Sequence, residues 1–584
     1  MCLRWQLKEQ LQAVVAKEQG TMIFPRGQRC GFALAYPNFY NVGMSNLGMH
    51  ILYKEINERG DTACERFFLP ERDLAPIYSR TNTPLLSLEN QQPLYEFPLI
   101  GFAVSFEMDY FNLLKILELG RVELLAANRQ ENDPIVIAGG PCATFNPEPL
   151  ADFIDAFVIG EGELTIQLFL DVYYECKNAK LSRQETLLRL AQVPGIYVPT
   201  FYQIVYKDDG TVGQIESASA VPNKVGRQWV EDLDKYDAHS VIFTENTEFR
   251  GLYLIEIARG CGRHCRFCMA GYCFRRPRTR SLAKLRLMLD EAKAMSSKVG
   301  LMGAAISDYP EIDQLCDEIL SLPMQMSVAS FRADSVTAKF VNALAASGAK
   351  SLTLAPEAGS ERLRQVINKG ITEEHLFHAI DLGVKAGVLN FRLYIMVGLP
   401  FETDSDIEAI IVMAEQVKAH MDSLGSKGNL TLSVNPFIPK PMTPFQWLPM
   451  EDMKVVERRL KQLKVALRKH KGIEVLIESP KEAYIQGVLA RGDRRIGKVL
   501  YTAHLGGGSK AFKRAMKENN CDEAFYLYRR REEMEIFPWD MLDMGFEREY
   551  LYKELLLAES AMATIRCFDG CRRCGICKPE NDGH

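Results

Sequence analysis

The sequence predicts a multidomain α/β protein, and three observations carry that reading. The chain is 584 residues long, several times the roughly 150 residues of an average domain. Apolar residues make up 47% and charged residues 25%, the composition of a chain that folds throughout. Two separate stretches alternate short apolar runs with longer amphipathic ones, the pattern of parallel strands joined by helical crossovers.

The first stretch fills residues 1–220. RCGFALAYP (29–37) reads as a strand and GMHILYKEINERG (48–60) as a helix closed by a glycine. PLIGFAVSF (98–106) is a buried strand running into the helix DYFNLLKILELG, and IVIAGGP (135–141) and DAFVIGEGE (155–163) are strands ending in glycine. Together they predict a doubly wound open sheet, which binds ligands beyond the carboxyl ends of its strands. Residues 200–250 are more polar and suit a hairpin and then a linker, taken as 221–248.

The second stretch fills 249–470. Its strands are YLIEIARG (253–260), VGLMGAAIS (299–307), QMSVASFRADS (325–335), AKSLTLAPEAGS (349–360), LNFRLYIMVGLP (389–400) and NLTLSVNPFIP (429–439), with amphipathic helices such as TAKFVNALAASG between them. The proline-rich PFIPKPMTPFQW (436–447) cannot be helix interior and is expected to cross the open end of this unit. Residues 471–584 read as a smaller α-rich region. HLGGGSK in that region lacks the strand and lysine spacing of a phosphate loop and reads as a flexible turn.

Seventy basic and 75 acidic residues leave a net charge of −5, so no global field recruits nucleic acid or an anionic membrane. No apolar run approaches the ~18 residues needed to cross a bilayer. The opening MCLRWQLKEQLQAVVAKEQG reads as an amphipathic helix and carries no signal-peptide core. The chain is read as cytoplasmic, where thiols stay reduced and clustered cysteines point to metal rather than disulfides.

Of 15 cysteines, Cys2, Cys30, Cys64, Cys142, Cys176, Cys273, Cys316 and Cys521 are scattered and read as small buried hydrophobes. The other seven form two groups. Cys261, Cys265 and Cys268 stand in C-x3-C-x2-C, and Cys567, Cys571, Cys574 and Cys577 in C-x3-C-x2-C-x2-C. Three thiolates can hold three corners of a four-iron cluster and leave one iron open, which is a catalytic rather than a structural arrangement. A closed zinc site would need His264 or Cys273 as a fourth ligand. Four thiolates at the carboxyl end can close either a tetrahedral zinc or a second iron–sulfur cluster, and the spacing does not choose between them.

The triad, with aromatic Phe267 before its last cysteine, resembles the signature of the radical S-adenosylmethionine (SAM) superfamily. That resemblance implies a [4Fe-4S] cluster whose open iron binds SAM, and one-electron cleavage of SAM to a 5′-deoxyadenosyl radical. It also implies that the six strand–helix units form a partial (β/α)6 barrel, with function at the carboxyl ends of its strands. Gly303 and Ala304 occupy the place of the family's glycine-rich turn. Ser330 and Arg332 end the third strand, Glu357 stands where a ribose-binding acid lies, and Gly398 begins the motif near adenine. The N-terminal sheet, with Ser105, Gly139, Gly140, Gly160 and Glu161 at its strand ends, resembles the cobalamin-binding domain of one branch of that superfamily. The D-x-H-x-x-G string that supplies a histidine to cobalt is missing, and the nearest substitute is His50.

The resemblance therefore implies a radical SAM enzyme that uses cobalamin for methyl transfer, fed by a ferredoxin- or flavodoxin-type reductant. Two rivals follow from the same residues. One is an RNA-modifying, methylthiotransferase-like enzyme in which Arg275, Arg276, Arg278 and Arg280 meet phosphates; the other is a non-catalytic iron–sulfur or cobalamin sensor or carrier.

Overall fold

The structure is a computed structural model that describes residues 3–568 and 570–577. Cys2, assigned above to the buried hydrophobes, lies outside them. After a helix at Leu3–Val15 comes a six-stranded sheet built from β1 (Cys30–Ala35), β2 (Thr62–Phe67), β3 (Leu99–Ala103), β4 (Ile135–Gly139), β5 (Ala156–Val158) and β6 (Ile196–Tyr197). Their order is β2-β1-β3-β4-β5-β6, with β1 to β5 parallel and β6 antiparallel. This doubly wound order reverses direction between β1 and β3, which opens a crevice at the carboxyl ends of the strands. The expected hairpin follows at Tyr202–Tyr206 and Val212–Ser217.

The six predicted strands of the second unit all form, at Tyr253–Glu256, Lys298–Met302, Gln325–Ser327, Ser351–Glu357, Asn390–Val397 and Leu430–Pro436. They run parallel, and a single bridge from Phe331 to Leu354 joins the first three to the rest. A seventh strand, Ile473–Ile477, pairs with Leu430–Val434, so the ladder continues past residue 470. Its alternating half-buried pattern is that of an edge strand with one face on the core.

The carboxyl-terminal helices Pro480–Arg491, Arg495–Leu505 and Phe512–Glu518 share their apolar core with the N-terminal sheet, through Val488, Leu500 and Phe512. The barrel has a second core of its own. Polar ties reinforce the first: Asn146 donates to the Ala490 and Gly492 carbonyls, and fully buried Glu148 accepts from Arg494 and Tyr197. The carboxyl-terminal helices thus pack on the N-terminal unit. The GGGSK segment, read above as a flexible turn, caps the Arg495–Leu505 helix at Gly506 and forms a short 3-10 turn at Gly508–Ala511. Among the described residues no helix is long and apolar enough to cross a membrane.

Candidate active site

The first barrel strand ends at Glu256 and leads into the cysteine loop. Gly260 makes the turn with φ +79, and a Cβ there would lie 2.1 Å from the Phe274 carbonyl oxygen, so no larger residue fits. The loop is wound so that backbone N–H groups point at sulfur: Arg263 N–H serves Cys261, and those of Ala270 and Gly271 serve Cys268. Burial, and then the neighbouring sulfurs, push the Cys268 thiol up to about 12 and raise Cys261. Such a nest of crowded, N–H-cradled sulfurs suits a positively charged iron core that takes them as thiolates. Among the described residues no three His, Cys, Asp or Glu side chains converge on a single ion. In a cubane each thiolate holds a different iron, so convergence on one point is not required.

Arginines hold the loop in place. Arg263 pairs with Asp334 at 2.6 Å and with Asp308, while fully buried Arg266 donates to the Gln365 and Val366 carbonyls and to Glu554. Arg332, predicted for cofactor binding, puts Nη1 3.9 Å from Cys265 Sγ and is locked by Asp334 and the Lys369 carbonyl. Predicted Glu357 accepts from Lys369 Nζ at 3.0 Å. Lys369, which sequence reasoning passed over, also lies 5.8 Å from the centre of the Phe267 ring. Burial works against its charge, yet Glu357 and Cys265 hold its pKa above the ordinary lysine value. Glu357 sits at φ +69 on an irregular register step of its strand; a non-glycine residue there stores strain, which active sites commonly do.

The remaining predicted positions separate. Gly303 packs against Ala258 at the end of the first strand, and Ala304 beside it is exposed. Ser330 lines a cleft of about 430 Å3 at the seam between the third and fourth strands, away from the cysteines. The Gly398 N–H is taken by Glu402 Oε2 at 2.8 Å. Burial pushes the Glu402 carboxyl up to about 7 although Arg459 lies 3.0 Å away.

Two cavities flank the loop. One of about 640 Å3 opens at the barrel mouth and is lined by Phe106, Phe267, Glu357, Tyr394, Lys440 and Gln486. The N-terminal unit, the cysteine loop, the barrel, the proline-rich segment and the carboxyl-terminal helices all contribute to it. Glu107 anchors that meeting by pairing with Lys440 and accepting from Gln486 at 2.8 Å.

The other cavity, about 310 Å3 and mostly apolar, lies at the carboxyl ends of β1, β3, β4 and β5. Its walls include every predicted position of that sheet: Ser105, Gly139, Gly140, Gly160 and Glu161. Gly140 (φ +99) and Gly160 (φ +106) are required by backbone contact, since a Cβ would lie 2.7 Å from the Val104 oxygen and 2.1 Å from the Gln228 oxygen. Glu161 is bound to Arg278 at 2.6 Å and to Arg259 at 2.9 Å, and Arg259 and Arg280 also hold Glu256. This lattice fastens the sheet to the barrel, and sequence reasoning missed it because Glu161 lies 98 residues from Arg259 and 117 from Arg278. His50 faces elsewhere: its ring nitrogens meet the Met44 oxygen and the Ile242 N–H.

The terminal cysteine segment docks on the cysteine loop. Cys567 N–H donates to the Gly262 oxygen at 2.9 Å, and Cys567 Sγ lies 3.1 Å from His264 Nε2. Cys571 and Cys574 crowd the same place and push the Cys567 thiol up after burial does so. The arginine group read as a phosphate surface does not form one. Arg275, Arg278 and Arg280 are buried with internal partners, and only Arg276 is open to solvent.

Sequence profiles described as the N-terminal part of radical SAM proteins and as the radical SAM superfamily match residues 48–199 and 255–414. A protein of Methanocaldococcus jannaschii described as uncharacterized protein MJ0966 is 32% identical over 473 residues, covering 80% of this chain and 90% of that protein. The chain belongs to the radical SAM superfamily. An uncharacterized methyltransferase of Pyrococcus horikoshii, PH0819, is 26% identical over 313 residues, covering 51% of this radical SAM chain and 61% of its own. Among solved structures, the cobalamin-dependent SAM radical enzyme OxsB overlays with a TM-score of 0.48 at 14% identity, covering 91% and 81% of the two chains. The radical SAM methyltransferase TsrM of Kitasatospora setae gives 0.45 at 16%, covering 69% and 72%. The superfamily profile begins in the first barrel strand and contains the whole cysteine triad.

Proposed function

We propose that Cys261, Cys265 and Cys268 hold a [4Fe-4S] cluster with one open iron, and that the protein reductively cleaves SAM for cobalamin-assisted methyl transfer. The observation that carries this reading is the linked set Arg332, Lys369 and Glu357, which runs from Cys265 of the cysteine loop to the mouth cavity that Glu357 lines. When bound, the cluster supplies the electron that breaks the sulfonium bond and the open coordination position that orients SAM.

The chain's own residues do the positioning. Arg332 and Lys369 place two fixed cations beside Cys265, suited to the SAM carboxylate and to the net negative charge of a thiolate-ligated cluster. The Glu357 carboxylate can accept from ribose hydroxyls, and Lys369 fixes its orientation. Phe267 and Phe106 give the mouth apolar walls that exclude water from a reactive radical.

The sheet cavity supports the cobalamin part of the reading. At about 310 Å3 it is at the lower end of ligand-sized cavities and takes an apolar portion of a corrinoid rather than all of it. With both nitrogens of His50 engaged, cobalt would be bound there without an imidazole from that helix. An external one-electron donor of ferredoxin or flavodoxin type completes the requirements.

The test is anaerobic reconstitution with iron, sulfide and cobalamin, followed by product analysis with SAM and a strong reductant. The reading expects bound cobalt together with 5′-deoxyadenosine and S-adenosylhomocysteine. Deoxyadenosine without bound cobalt would remove the methyl-transfer part, and neither product would remove both.

A further inference from the structure

Resting on the cluster reading above, we infer that the C-terminal cysteine centre is an iron–sulfur relay docked on the SAM-cluster loop. His264 is its positioning residue, donating a hydrogen bond to the Cys567 thiolate.

The geometry fixes the proton on His264. Its Nδ1 lies 2.9 Å from Arg275 Nη2 and 2.6 Å from Tyr550 Oη. A guanidinium only donates, so Nδ1 is an acceptor, and the proton of the neutral ring sits on Nε2. That nitrogen faces Cys567 Sγ at 3.1 Å. An Nε2 that carries a proton aimed at sulfur is a donor to that sulfur and not a metal ligand, so the fourth-ligand role considered for His264 in a zinc site does not apply.

The docking is built and buried. Arg266 Nη2 donates to the Met562 carbonyl and Thr564 Oγ1, and Asn368 bridges the His264 carbonyl to Thr564. The Cys567 N–H bond to Gly262 leaves one peptide unit and one hydrogen bond between a ligand of each centre, Cys261 and Cys567. A second path runs from Cys567 Sγ through His264 to Cys265, its sequence neighbour. Gly262 permits the approach, since a Cβ there would meet Cys567 Cβ at 3.3 Å. A merely structural tail site has no need of two such paths.

The electron balance is simple. Once loaded, Cys567, Cys571, Cys574 and Cys577 would hold a centre able to take one electron from a ferredoxin- or flavodoxin-type donor and yield it to the centre held by Cys261, Cys265 and Cys268, with no net change in its own oxidation state. Hydrogen bonds to cluster sulfurs offset the negative charge added on reduction and set reduction potentials. The His264 bond therefore raises the potential of the C-terminal centre.

The test is EPR-monitored potentiometry, with iron and zinc counts, on the anaerobically reconstituted full-length protein. In H264L the midpoint of the second cluster should move to lower potential at unchanged iron content, and H264Q, which keeps an amide donor, should restore most of it. In C571A/C574A, half the iron should remain, and reduction of the remaining cluster by flavodoxin should slow at least tenfold while reduction by dithionite does not. An unchanged midpoint in iron-replete H264L, zinc at the C-terminal cysteines, or an unchanged flavodoxin rate in C571A/C574A would overturn the inference. Loss of the first cluster's signal from the unsubstituted protein would instead overturn the reading beneath it. Should H264L fail to load iron, the C571A/C574A rates decide.

Discussion

Lys369 Nζ lies 3.0 Å from Glu357 Oε1, and this pair of a buried lysine and a half-buried acid links the cysteine loop to the mouth cavity that Glu357 lines. A lysine in so dry a place is costly unless an acid answers it. Here the acid is one that the sequence marks for nucleoside recognition. The pair therefore joins two tasks, steadying the positive side of the loop and aiming the carboxylate.

Lys369→Met leaves the half-buried Glu357 carboxylate without its partner. Removing one member of such a pair costs about 2 kcal/mol, and the variant should bind SAM at least tenfold more weakly in the reconstituted state. Urea unfolding and calorimetric SAM titration check the two effects, and Lys369→Arg should recover most of the stability.

Glu357 holds a backbone conformation that glycine adopts freely. Glu357→Gly should therefore be more stable than Glu357→Ala by about 1 kcal/mol, although both lose SAM affinity. Equal stability of the two variants in thermal unfolding would show that the φ of +69 costs nothing.

His50 is held neutral by burial, its pKa lowered to about 4. The unfolded chain takes up a proton near pH 6.5 that the native chain refuses until about pH 4. Stability is therefore complete above about 6.5 and falls as pH drops towards 4, by about 1.4 kcal/mol per pH unit. Denaturant unfolding at several pH values should show a shallower loss in His50→Gln than in the unsubstituted chain.

Ala103 lines the sheet cavity. Ala103→Trp should fill it and abolish cobalamin uptake, measured by visible absorption after desalting, while leaving iron content unchanged. Retention of cobalamin by this variant would place the corrinoid elsewhere.

The cysteine triad and all six expected barrel strands were legible in the sequence because close spacing and local periodicity encode them. β2 was not. Its run TACERF carries Glu65 and Arg66, whose charges break the apolar pattern of a strand, yet both are buried, Glu65 bonded to Asn90 and Arg66 paired with Glu18 and Glu89. The strand Ile473–Ile477 was hidden between helices of basic, surface-like composition. At the site, Arg332, Glu357 and Phe267 are joined through Lys369. Lys369 gave no signal, since a lone lysine in INKG reads as a loop charge. Its burial follows only from the packing of that loop on the cysteines. The Glu161–Arg278 bond and the docking of Cys567 on Gly262 are contacts across hundreds of residues or between domains, which no local pattern reports.

The most direct test of the central claim is electron–nuclear double resonance on the reduced, reconstituted protein with SAM labelled with 15N at its amino group. Hyperfine coupling of that nitrogen to the cluster held by Cys261, Cys265 and Cys268 is expected, and it should be lost when Cys265 is replaced by alanine. A reduced cluster that shows no coupling to bound SAM, or zinc in place of iron at those three cysteines, would contradict it.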